Sequence, residues 1–185
     1  MRSLFSHILP SRLIRFGRDQ RGVSAVEFAM LLPLMVTLYL GSVEISQGIS
    51  IDRKVTLTAR TVADLVSQVS SINNAGMTNV LNASTAVLSP YSASNAKVTV
   101  SLVTIDANSK ATVTWSDTLN GTARSVGSTV SLPSALLIPN TSLVWGEVQY
   151  SYKPTIGYVV TGTMTLKDQI YMAPRLSTTI GRTAT

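Results

Sequence analysis

The residues with the most chemistry to offer are Gly22 and Glu27, in the stretch Arg21-Gly22-Val23-Ser24-Ala25-Val26-Glu27-Phe28. Gly22 closes a basic segment, and Glu27 follows it inside an apolar run. A charged residue at the centre of a membrane helix costs about 2.5–3.5 kcal/mol, and less near the helix end. A carboxylate in that place calls either for a cationic partner or for an escape to the interface. Lying only one helical turn into the run, Glu27 could snorkel to the near surface or take up a proton there. On the residues alone, both accounts stand.

Other chemistries find little support. The chain has no Cys, which excludes disulfides, zinc–thiolate sites and thiol nucleophiles. Its single His, His7, lies in the basic segment, so catalytic triads lack an imidazole once that segment is removed. No Gly-x-x-x-x-Gly-Lys phosphate loop is present. A carboxylate dyad or a Ser–Lys pair has no spacing that nominates it. These features predict no enzyme, no cofactor, no metal and no small-molecule substrate.

The net charge of +6 does not describe a nucleic-acid surface. Residues 1–22 hold Arg2, Arg12, Arg15, Arg18 and Arg21 against Asp19, a local +4 that leaves +2 for the rest of the chain. No nucleic-acid partner is expected. An Arg-rich flank beside an apolar run is the positive-inside signal, which keeps the N-terminus in the cytoplasm and exports the chain beyond the run.

Several elements must position these residues. Val23 to Ile45 would form a helix of about 34 Å, enough to cross a hydrocarbon core of about 30 Å. Glu44, at its far edge, is expected among solvating headgroups. Three readings compete for the segment: a cleaved signal peptide, an uncleaved anchor and a prepilin-type helix. Glu27 and the want of a small-residue cleavage site speak against the first. Pro33 removes one helical hydrogen bond, giving either a harmless kink or a flexure point for packing among subunits. Gly41 and Gly48 are too far apart for a tight small-residue packing motif.

Beyond the membrane, Val55, Val62 and Val69 recur every seven residues, with Ala59, Leu65, Val66 and Ile72 between them. This predicts an amphipathic helix over 46–75 that continues the membrane helix and stops at Asn73-Asn74-Ala75-Gly76. A short second helix from Met77 to Leu88 comes next, ended by Pro90. Strands are expected at 97–105, 111–115, 143–152 and 161–171, joined as hairpins, with a loop-like stretch over 118–142. Trp115 and Trp145 are read as packing residues. Tyr150, Tyr152, Tyr158 and Tyr171 are read as cross-strand partners, and Asp106 and Asp117 as turn residues. Arg175 has Asp168 or the C-terminal carboxylate as candidate partners.

The expected fold class is therefore α+β: a long N-terminal helix, a short second helix and an antiparallel sheet of about four strands covering the helical stripe. The other sheet face should be Ser/Thr-rich and wet. The predicted organisation is a basic leader (1–22), a transmembrane helix (23–45), an amphipathic helix (46–75), an exported α+β domain (76–175) and a mobile tail (176–185).

Gly22 through Ala29, then Leu31-Leu32-Pro33 and the run ending Gly41-Ser42-Val43-Glu44, resemble the opening of the TadE-like family. These are pseudopilins of the tight-adherence (Flp, type IVb) pilus. Gly146 through Pro154 and Tyr171-Met172-Ala173-Pro174-Arg175 are similar to that family's later strand and C-terminal signature. The resemblance implies a pilin-like fold and cleavage between Gly22 and Val23 by a prepilin peptidase. It implies that Glu27 pairs with the new N-terminal amine of a neighbouring subunit. The implied partners are the peptidase, other pilins or pseudopilins and inner-membrane lipid. The implied location is a single-pass inner-membrane protein with a cytoplasmic N-terminus and a periplasmic domain. The TadG-like relatives share this N-terminus but are much longer. The alternative is an uncleaved single-span protein whose periplasmic domain binds a partner or ligand.

Overall fold

A computed structural model describes residues 20–154, 157 and 161–184. Most of the expected leader, together with Tyr158, lies outside the described residues. Helix α1, Gln20–Ser67, runs through Pro33 without interruption. Its second half turns Ile51, Val55, Ala59, Val62, Ala63 and Val66 to one side, and all six are buried. Their spacing of three and four residues is the helical repeat that makes a single apolar stripe. Strand β1, Ser71–Ile72, comes after it, and then helix α2, Asn74–Ala86.

The predicted helix stop at Asn73–Gly76 is instead a helix start. The Asn73 side chain accepts a hydrogen bond at 2.8 Å from the Gly76 backbone amide, capping α2. Asn serves helix ends of both kinds, and here the N-cap use wins. The stretch expected to be helical to residue 75 thus ends at Ser67 and gives way to β1.

Four strands form the main sheet: β2, Ala96–Ile105; β3, Ala111–Leu119; β4, Thr141–Tyr152; and β5, Met164–Met172. All pairs are antiparallel, in the order β3-β2-β4-β5. The fold class is the α+β arrangement expected from the sequence. The β2–β3 turn is a hairpin held by Asp106, whose Oδ1 accepts from the Asn108 and Lys110 amides at 2.8 Å each. The next connection is not a hairpin, because β4 pairs with β2 on the side away from β3.

Residues 120–140 make that crossing and cover part of the sheet's outer face. Val130 donates its amide to the Ala111 carbonyl at 3.0 Å, and Val113 donates to Ser128 at 2.9 Å. Beneath them Val103, Ile105, Ala111, Leu132 and Trp145 form a second small core. The outer face is therefore only partly wet. Away from this core it carries hydroxyl pairs, Thr99–Thr118 at 3.0 Å and Ser101–Ser116 at 2.8 Å.

The inner face meets α1 through Val144, Val148, Tyr150 and Tyr152 of β4 and Val98, Val100 and Leu102 of β2. Gly146 lies between them. A Cβ there would stand 2.8 Å from the Ala59 carbonyl oxygen and 3.1 Å from the Ala63 Cβ. The helix backbone approaches the strand this closely because the position has no side chain.

The stretch expected as a mobile tail makes a short strand and hydrogen bonds to the domain. Strand β6, Gly181–Arg182, pairs in parallel with β1. Ile180 is buried, and its carbonyl accepts from the Trp115 indole at 2.8 Å. Arg182 holds Asp117 through Nε at 2.9 Å and Nη2 at 3.1 Å, so Asp117 is an ion-pair partner and not a turn residue. Arg175 pairs with Asp64 of α1, not with Asp168, and donates its backbone amide to the Ser67 carbonyl at 2.9 Å. These bonds fasten the tail around the end of α1, where orphan carbonyls need donors.

Candidate functional site

The first turns of α1 carry the residues singled out by the sequence. Gly22 sits in helix, and the space where its Cβ would stand is open to 4 Å. Val23 and Glu27 are both exposed. Being four residues apart in a helix, they lie on the same face, one turn above the other. Pro33 has no amide proton to offer the Ala29 carbonyl. Its own carbonyl accepts a second hydrogen bond, from Thr37 Oγ1 at 2.8 Å.

From Val23 to Tyr39 the large apolar side chains of α1 stand away from the domain. Leu38 is 65% exposed and Met30 75%. The domain takes hold of the helix only at Gly41 and beyond. Among the described residues this is the one helix long and apolar enough to cross a membrane, and its apolar window is wholly unburied. An unburied apolar helix of this length is expensive in water and natural in lipid. Among the described residues, one such helix fits a single-pass membrane protein.

Glu44 differs from its expected setting. It is 2% exposed, tucked between α1 and β4, and not bathed by headgroups. Its backbone carbonyl accepts from the Tyr152 hydroxyl at 3.2 Å. Burial, and after it the nearby Glu44 charge, holds the Tyr152 phenol above its ordinary pKa.

Of the aromatic residues, Trp115 is a core residue with its indole satisfied. Trp145 lies on the outer face against Tyr171, with ring centroids 5.3 Å apart, and under the Arg124 guanidinium, 3.8 Å from the ring centroid. Arg124 in turn grips Glu147 with both terminal guanidinium nitrogens, Nη1 and Nη2. This Glu147–Arg124–Trp145–Tyr171 stack had not been anticipated. Trp145, Glu147 and Tyr171 stood in predicted strands, but Arg124 is brought to them by a loop whose path no periodicity marks. Gly146 was also missed as a packing residue. A lone Gly inside a β-branched and aromatic strand was the available signal.

No group of three or more His, Cys, Asp or Glu side chains among the described residues could hold a metal ion. The structure brings together a bare apolar helix, a glycine and a carboxylate at its head, and a sheet domain packed on its other half. No curated protein and no solved structure matches the chain. A family match exists on the long helix α1. The family model described as TadE-like protein matches residues 22–64, from Gly22 at the helix head to Asp64 near its end, and over that segment this chain is similar to that family.

Proposed function

We propose that this protein is a minor pilin or pseudopilin needed to assemble a tight-adherence pilus, and that it acts by subunit packing and not by a reaction. The observation that carries the reading is the unburied apolar half of α1 with Gly22 and Glu27 at its head, inside the segment that matches the family model. A prepilin peptidase removes residues 1–22, leaving a charged amine on Val23. In a neighbouring subunit that amine meets Glu27. Desolvation of both charges is offset by their mutual attraction in a low-dielectric setting, and the stagger between helices is fixed by the pair. Pro33 gives the apolar bundle a point of flexure. The sheet domain stands in the periplasm as an adaptor or cap.

Deleting the chain from its host should abolish pilus production, and the wild-type chain should restore it. Gly22→Glu should not restore it, because a bulky charged residue replaces the small one before the cut. Its product in membranes should retain the leader. Full piliation with Gly22→Glu would contradict the reading.

A further inference from the structure

We infer that the base of the sheet domain is itself a lipid-contacting surface, seated in the headgroup–acyl boundary, and not a domain held off the membrane on a stalk. The inference rests on the membrane reading of α1 and adds a surface to it. Between Glu27 and Asp52 the only charged residue of the helix is Glu44, and the fold buries it. The outward surface of α1 is thus free of charge over about 37 Å at a rise of about 1.5 Å per residue. A hydrocarbon core is about 30 Å thick. With Glu27 at the near edge, Ile45 and Ile49 come about 27 and 33 Å along the axis, at the far boundary of the acyl region. Asp52 and Arg53, both exposed, then mark where water begins.

The domain already reaches this depth. Gly41 and Glu44 are buried, and Tyr152 donates to the Glu44 carbonyl, so β4 touches the helix at the level where it leaves the bilayer. At that level a groove of about 270 Å³ is lined by Ile45, Gly48, Ile49, Tyr152, Met164 and Leu166, together with the buried Glu44 and with Asp52 on its water side. Ile45 is 53% exposed, Ile49 51% and Met164 45%. This apolar surface is continuous with the bare transmembrane face below it. An acyl-chain boundary satisfies it; water does not.

The absence of native Cys allows clean site-specific labelling. Single variants Leu34→Cys, Ile49→Cys, Met164→Cys and Leu57→Cys carry an environment-sensitive fluorophore in the full chain. They are reconstituted in vesicles of phosphatidylethanolamine and phosphatidylglycerol containing lipids spin-labelled near the headgroup or deep in the chain. The Ile49 and Met164 probes should lose emission to the shallow label at every protein-to-lipid ratio. The Leu34 probe should lose it to the deep label. The Leu57 probe, about 12 Å beyond Ile49 along the helix, should keep its emission. Deep quenching at Leu34 with none at Ile49 and Met164 would overturn the inference alone. So would shielding of those two sites that grows with protein density, which would place a second copy there. An unquenched Leu34 would overturn the membrane reading with it.

Discussion

Replacing Gly146 with Val is expected to unseat the long helix from the sheet. The Cβ alone would stand 2.8 Å from the Ala59 carbonyl oxygen, a backbone atom that cannot rotate away. It would also press on Val62 Cγ1 at 3.0 Å and Ala63 Cβ at 3.1 Å. Overpacking of this kind costs about 1–3 kcal/mol when side chains can yield, and the Val methyl groups push beyond what the helix can absorb. A loss of about 3 kcal/mol corresponds to a fall in Tm of about 6–12 °C for a chain of this size. Gly146→Ala should fall between the two. Thermal unfolding of the full chain in detergent, followed by the near-ultraviolet signal of its two Trp residues, reads the effect. An unchanged Tm for Gly146→Val would mean that the close approach of β4 to α1 is wrong.

Glu27→Ala is expected to leave trimming largely intact and to impair pilus production severely. Membrane insertion should become easier in this variant, because an intramembrane charge is removed. Failure of assembly could then not be blamed on failure to insert. If each Glu27–amine pair stabilises a subunit contact by about 1.4 kcal/mol, its loss weakens that contact about tenfold. Glu27→Gln keeps the shape, removes the charge and should behave alike. Sheared pili are quantified against a membrane-fraction blot of the trimmed chain. Wild-type piliation with either variant would remove the pairing role from Glu27.

Local pattern reached some parts of this architecture and not others. The apolar stripe of α1 was visible in Val55, Ala59, Val62 and Val66 because helical spacing is written in sequence. Alternation located β2 and β4 to within two residues, and turn chemistry placed Asp106. What escaped depends on partners distant in the chain. The end of α1 at Ser67 is fixed by β6, which pairs with β1 across about a hundred residues. The same pairing orders a tail whose Ser, Thr and Gly content reads as loose. Strand order was hidden because residues 120–140 cross the outer face and bring Arg124 onto Trp145. Glu44 read as a residue at the membrane edge because its burial comes from the fold, where Tyr152, distant in the chain, meets its backbone carbonyl.

At the head of the helix the sequence marked Gly22, Val23 and Glu27 through residue type and spacing, and the structure adds their exposure and shared helical setting. The chemistry proposed for them depends on a single covalent event. The intact mass and N-terminal sequence of the protein from its host's membranes and pili test that event directly. The account predicts a mature chain beginning at Val23 with a free amine. A chain that begins at Met1 in every fraction would leave Glu27 without its cation and contradict the pilin reading.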